Sequence, residues 1–88
     1  MAWHIEWDER ALKEARKLGR PAARAIVDYF ESRIASADNP RQYGKALAGP
    51  LQGLWRYRIG DYRAVCKIED ERITILILRV AHRREVYR

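Results

Sequence analysis

Three arginines in the second half of the chain could bind one phosphate group together. Arg56, Arg58 and Arg63 flank Gly60 and Asp61, a pair that favours a two-residue β-hairpin turn. The register set by this turn places Arg58 opposite Arg63, and the period of two puts Arg56 on the same face. Like charges directly opposite each other destabilise a strand pair, so an anion there would relieve the repulsion. Phosphate fits because the arginine fork binds its oxygens bidentately.

Two other interpretations of these arginines stay open. They could form a solvated outer face, paired with Asp61 or Glu69. A slip of one residue in the hairpin register would turn them toward the core. Neither arrangement requires a ligand.

A second cluster of polar and basic residues ends the chain: His82, Arg83, Arg84, Tyr87 and Arg88. Cations beside a tyrosine favour its ionised form and make it usable as a base, and its ring could stack on a nucleotide base. Histidine titrates near neutral pH and suits acid–base work. Alternatively, Tyr87 is a packing residue and His82 a surface or hydrogen-bonded histidine.

The elements that position these residues begin with a strand and two helices. Residues 2–7 alternate in polarity, with Trp3, Ile5 and Trp7 on one side of a predicted strand. Asp8 is a good N-cap for a helix to Leu18. Gly19 can end this helix, and Pro21 suits the first turn of a second one. We predict an antiparallel helical hairpin. Its apolar residues are Ala11, Leu12, Ala15 and Leu18 in the first helix, and Ala22, Ala25, Ile26, Tyr29, Phe30 and Ile34, with the stem of Arg33, in the second.

Three antiparallel strands complete the predicted fold. Residues 36–53 are rich in turn formers and predict an irregular connector with a helical turn around Pro40–Tyr43. The strands are Leu54–Ile59, Tyr62–Glu69 and Arg72–Val80, with Asp70 and Glu71 as the second turn. The apolar run within the third strand indicates a central position in the sheet. The order predicts one α+β domain over residues 1–88, with the helices packed on one face of a small sheet.

Composition narrows the function further. The formal net charge is +6 and the pI is near 9.9, which suits an acidic or phosphate-rich partner. In residues 46–88, eight of the nine basic residues are arginine. One cysteine and two histidines leave neither an internal disulfide nor a plausible zinc site, so we expect Cys66 in the core and no metal or other cofactor. We expect no signal peptide and no membrane span, and therefore a cytoplasmic protein.

Several segments together resemble the RelE family of toxins from bacterial toxin–antitoxin pairs. They are DERALKE at 8–14, LAGPLQGLWRYRIGDYR at 47–63, ILILRV at 75–80 and HRREVY at 82–87. The resemblance covers almost the whole chain, and the order of the elements matches. Any one of these segments would be weak, but their combination is specific.

The resemblance implies an endoribonuclease that cuts messenger RNA in the ribosomal A site and is inhibited by a cognate antitoxin protein. It implies attack of a ribose 2′-OH on the adjacent phosphate, without a metal ion. The catalytic positions carried over from the family are Arg56, Arg58, Arg63, Arg83 and Tyr87. The residues expected to bind RNA are Lys45, His82 and Arg84, with His82 as an alternative acid or base.

The chain departs from the family pattern at two places. The best-studied pattern has lysines where Arg56 and Arg58 stand, and arginine is unsuited to serve as a base. The tail is also shorter, so either Arg83 or Arg84 could be the matching arginine. Toxins of the ParE type share the architecture and act on DNA gyrase, and a ParE-like gyrase inhibitor is therefore the alternative function. A binding module without catalysis is a third possibility.

Overall fold

Two helices cover one face of a five-stranded sheet in the computed structural model, which describes residues 2–85. The strands are β1 (His4–Trp7), β2 (Lys45–Ala46), β3 (Trp55–Ile59), β4 (Tyr62–Glu69) and β5 (Thr74–His82). The helices are α1 (Glu9–Leu18) and α2 (Arg20–Tyr29). The predicted α+β class is confirmed.

The sheet is mixed, with the strand order β1-β5-β4-β3-β2. β1 pairs with β5 in parallel, and the remaining neighbours are antiparallel. The prediction that the third strand of the C-terminal half is central is confirmed, because β5 has a neighbour on each side. β2 was not predicted; it contributes two residues at the edge beside β3.

The first helix starts and ends at the predicted residues, and Pro21 lies in the first turn of the second helix, as predicted. The Asp8 carboxylate accepts the N–H of Arg10 at 3.0 Å, which caps α1. Gly19 lies between the helices with a φ of 94°, a conformation that glycine adopts without steric cost. Beyond α2 the helix continues as a π-helical turn over Phe30–Ile34. Ala11, Ala15, Ile26, Phe30 and Ile34 are buried against the sheet.

The predicted apolar stripes were wrong at two positions. Leu12 is 38% exposed, and Ala25 is also exposed. Leu12 follows the buried Ala11 and Ala25 precedes the buried Ile26, so each lies beside the buried face of its helix. Within residues 2–85, no helix is both long and apolar enough to cross a membrane.

The turn between β4 and β5 is longer than predicted. Asp70–Arg72 form a short 3₁₀ turn, and Ile73 follows in the left-handed region with a φ of 47°. This moves the start of β5 from Arg72 to Thr74, and the strand continues to His82 instead of ending at Val80.

The far end of β5 is fixed by α1. β1 ends opposite Ile77, and beyond that point the Glu14 carboxylate accepts the backbone N–H of Val80 at 3.1 Å. The same carboxylate accepts the Nε–H of Arg79 at 2.9 Å. Glu14 therefore ties the helix to the strand that leads into the tail.

Candidate active site

The predicted arginine face is present on the β3–β4 hairpin. Arg58 is the register partner of Arg63, and Arg56 lies two residues along β3. The neighbouring positions Tyr57 and Ala64 point to the opposite face, where both are fully buried. Since side chains alternate along a strand, the three arginines share the face that the helices leave uncovered. Arg58 is exposed, and the other two are half-buried.

A groove brings two of these arginines together with the tail. This first groove has a volume of about 280 Å³ and is lined by Leu47, Leu51, Arg56, Arg63, Val65, Arg83 and Glu85. Its lining combines three guanidinium groups, one carboxylate and three aliphatic side chains. The positive charges converge where a phosphate could be held, and the aliphatic residues offer an apolar surface to a nucleotide.

Arg83 reaches the groove because the hairpin tip holds its backbone. Its N–H donates to the carbonyl oxygen of Asp61 at 2.7 Å, and its Nε lies 3.7 Å from the Asp61 carboxylate. Asp61 is exposed and the second distance is long, so this ion pair is weak. Between the two possible tail arginines, the structure places Arg83 in the groove. Arg84 is exposed and lines neither this groove nor the one described next.

A second groove, of about 210 Å³, adjoins the first on the β2 side. It is lined by Gln42, Tyr43, Gly44, Lys45, Arg56 and Arg58. Lys45 reaches it because β2 pairs Lys45 with Arg56. Arg56 therefore lines both grooves. Its Nε is fully covered and has no hydrogen-bond partner within residues 2–85, an unfavourable state for a buried N–H.

The structure does not bring His82 to the arginines. β5 runs two residues further than predicted, and His82 becomes the register partner of Tyr62. The two rings pack edge to face with centroids 5.7 Å apart, on the side of the sheet that carries the helices. The His82 Nδ1 accepts the N–H of Arg84 at 3.2 Å. Tyr87, the predicted base, lies outside the described residues 2–85.

Sequence reasoning missed several residues around the grooves. No local pattern marked Glu85, which lies among basic residues, and Leu47 and Leu51 lie in a connector without periodicity. Arg41 binds Asp70 through two hydrogen bonds of 2.9 and 2.7 Å and lies over the Trp55 ring. Only the tertiary fold brings residues 41 and 70 together, so no local signal could have shown this contact.

Two buried groups below the arginine face are structural. The Tyr57 hydroxyl donates to the carbonyl oxygen of Pro40 at 2.8 Å, and burial raises the pKa of this phenol well above its usual value. Cys66 is fully buried, as predicted, and burial raises the pKa of its thiol. Both groups therefore stay protonated near neutral pH. Within residues 2–85, no three His, Cys, Asp or Glu side chains are grouped so that they could hold a metal ion.

The sequence matches a family of known toxins along nearly its whole length. Residues 5–87 match the family model described as "ParE toxin of type II toxin-antitoxin system, parDE". Toxin RelG of Mycobacterium tuberculosis is 32% identical over 88 residues, which cover 100% of this chain and 99% of RelG. The chain belongs to the RelE/ParE family of type II toxins.

Two further proteins of this family are similar to this RelE-family toxin, one by its sequence and one by its solved structure. The protein named mRNA interferase toxin RelE of Escherichia coli is 32% identical over 91 residues, covering 99% of this chain and 92% of that protein. The toxin–antitoxin complex RelBE2 from Mycobacterium tuberculosis contains a chain of the same fold, with a TM-score of 0.86 and 29% identity. The match covers 97% of this toxin and 95% of that chain.

Proposed function

We propose that this toxin is an endoribonuclease that cuts messenger RNA bound in the ribosomal A site. The observation that carries the proposal is the first groove, where Arg56, Arg63 and Arg83 converge on an exposed face of the sheet. The relative from Escherichia coli named an mRNA interferase supports it. The excess of arginine in the second half of the chain supports a phosphate-bearing substrate as well.

The proposed reaction is an internal transesterification. The ribose 2′-oxygen loses its proton and forms a bond to the adjacent phosphorus, while the bond from phosphorus to the 5′-oxygen of the next nucleotide breaks. The leaving 5′-oxygen takes up a proton, so the products are a 2′,3′-cyclic phosphate and a 5′-hydroxyl. Negative charge grows on the non-bridging oxygens during this step. Guanidinium groups held in place by the strands stabilise that charge without needing a metal ion.

The residues have separate tasks in this scheme. Arg56 and Arg63 hold the non-bridging oxygens, with Arg58 beside them, and Arg83 stabilises the leaving oxygen. Tyr87 is the proposed base or stacking residue. Arginine keeps its proton near neutral pH, so none of the arginines takes the proton from the 2′-OH. Glu85 lies in the same groove and is a second candidate for that task.

The proposed partners are the ribosome with its messenger RNA, and a cognate antitoxin. The antitoxin is a short protein that wraps the toxin and lays acidic and apolar residues over the arginine face. The excess of positive charge on that face and the aliphatic residues of the first groove support such a partner. The relative of known structure was solved as a toxin–antitoxin complex.

A second candidate function is inhibition of DNA gyrase, as in ParE toxins. The observation in its favour is the description of the matching family model, which names ParE. The three converging arginines favour cleavage, because gyrase inhibition by itself gives no reason to gather guanidinium groups in one groove.

Cleavage in a reconstituted translation mixture separates the two candidates. Wild type, Arg63→Ala and Arg24→Ala are added to translated transcripts, and the new ends are mapped and tested for a cyclic phosphate. Wild type should cut the translated message. Arg63→Ala should cut about 100- to 1,000-fold more slowly, as when one charge-stabilising donor is lost. Arg24 is exposed on α2, and its variant is the matched control, which should cut like wild type. Intact transcripts together with trapped gyrase would instead establish the second candidate.

A further inference from the structure

The second groove combines an exposed aromatic ring with three cations. Tyr43 is 44% exposed and lines the groove with Lys45, Arg56 and Arg58. No carboxylate of residues 2–85 lines it, in contrast to the first groove. Proteins hold single-stranded nucleic acid in grooves of this kind, where cations contact the phosphates and aromatic rings stack on the bases.

Tyr43 is fixed in position by the connector. It ends the short 3₁₀ turn Pro40–Tyr43, and the buried Tyr57 hydroxyl holds the start of that turn. The next residue, Gly44, lies flat on β3, since a Cβ there would stand only 3.0 Å from the carbonyl oxygen of Arg56. A ring whose backbone is already fixed loses little conformational freedom when it stacks on a base.

The two grooves form one path along β3. Arg56 lines both of them. Two residues of a strand span about 6.6–6.8 Å, so Arg56 and Arg58 are spaced like neighbouring phosphates of an extended strand. A phosphodiester chain crossing from the first groove to the second would pass Arg56 and meet Arg58 one nucleotide later.

We propose that the second groove is a nucleotide subsite, in which the Tyr43 ring stacks on the base of a nucleotide next to the cut. Arg58, which lies next to the scissile phosphate in the proposed reaction, and Lys45 bind the phosphate of that nucleotide from the second groove. The inference rests on the proposed function, because the strand must pass through the first groove to reach the second. Tyr43 is a binding residue in this scheme and takes no part in proton transfer.

The first test measures cleavage under single-turnover conditions on ribosomes that carry a defined message and an empty A site. Tyr43→Ala should raise the toxin concentration that gives half-maximal rate by about 5- to 150-fold, equivalent to the ~1–3 kcal/mol of base–aromatic stacking. The rate at saturating toxin should stay close to that of wild type. Tyr43→Phe and Tyr43→Trp should retain tight binding, since stacking needs no hydroxyl, whereas Tyr43→Leu should behave like Tyr43→Ala. Equal behaviour of the alanine variant and wild type would overturn the subsite.

The second test removes the base from the RNA. Abasic nucleotides are placed in turn on either side of the cut, and each message is used with wild type and with Tyr43→Ala. At one position the abasic message should weaken wild type by the same factor as the mutation, and combining both changes should add nothing further. Additive losses at every position would contradict stacking. If Tyr43→Ala cuts normally but binds the antitoxin less well, the groove serves the antitoxin and the inference is wrong. If wild type cuts no message, the proposed function fails, and the subsite fails with it.

Discussion

Removing the Glu14 carboxylate should destabilise the toxin through two losses that can be measured separately, the loss of its charge and the loss of its hydrogen-bond acceptor. This carboxylate binds Arg79 at 2.8 Å through its guanidinium NH2 group and accepts the backbone N–H of Val80 at 3.1 Å. The Glu14 and Arg79 side chains are 22% and 28% exposed, so water screens their attraction only in part. Val80 is 1% exposed, and its N–H depends on the Glu14 carboxylate for an acceptor within the protein.

The size of each step follows from these contacts. Glu14→Gln keeps an oxygen for the Val80 N–H but loses the charge. Hydrogen bonds to charged groups contribute about 1.5–3 kcal/mol and neutral ones about 0.5–1.5 kcal/mol, so the free energy of unfolding should fall by about 1 kcal/mol. Glu14→Ala also leaves the Val80 N–H buried without an acceptor, which costs a further ~1–3 kcal/mol. The total loss for alanine is then about 2–4 kcal/mol.

Urea and thermal denaturation of the purified toxin measure both losses. In a domain of 88 residues, each kcal/mol lowers the Tm by about 4–8 °C. Glu14→Gln should therefore lower it by about 4–8 °C, and Glu14→Ala by about 8–16 °C at the lower end of its range. Glu31→Gln changes an exposed residue and is the matched control, with an expected effect within about 0.5 kcal/mol. If alanine and glutamine cost the same, the argument from the buried Val80 N–H is refuted.

Three further predictions concern the connector, the first groove and the core. Gly44→Ala should lower the free energy of unfolding by about 1–3 kcal/mol, because the new Cβ would lie 3.0 Å from the Arg56 carbonyl and 3.1 Å from the Tyr57 ring; an unchanged urea midpoint would contradict this close approach. Glu85→Gln removes the negative charge from the first groove, so the toxin concentration that gives half-maximal RNA cleavage should fall by roughly 5-fold, equivalent to about 1 kcal/mol for one nearby charge. A fall of about 100-fold in the cleavage rate at saturating toxin would instead identify Glu85 as the base. Cys66 is buried and burial raises the pKa of its thiol, so mass spectrometry should find it unlabelled by iodoacetamide until urea unfolds the chain, and rapid labelling of the folded toxin would argue against its burial.

The hairpin could be predicted from sequence because several local signals agree on one register. Gly60 has a φ of 57°, as the predicted two-residue turn requires at its first position. Alternation along both strands then places Arg58 opposite Arg63 with no further information. The helix ends were predictable for the same reason, since Asp8 and Gly19 act through their own backbone neighbours.

The other parts of the site depend on contacts between distant segments. β2 has only two residues, too few for any periodicity, and it forms because Gly44 packs on β3. The face on which His82 lies depends on the register shift at Val65 and Cys66, where β5 carries one residue more than β4. A prediction that ended β5 at Val80 could not give the orientation of the next residues. The place of Arg83 depends on the hairpin tip, and that of Glu85 on the turn that follows.

The parallel pairing of β1 with β5 bears on when the first groove can assemble during synthesis of the chain. Residues 4–7 can pair only after residues 74–77 have been made. The first groove also requires Arg83. Contacts so distant in sequence form slowly, and a chain that is still being synthesised lacks the C-terminal partner. Products that lack the segment carrying Thr74–His82 and Arg83 therefore carry no assembled groove.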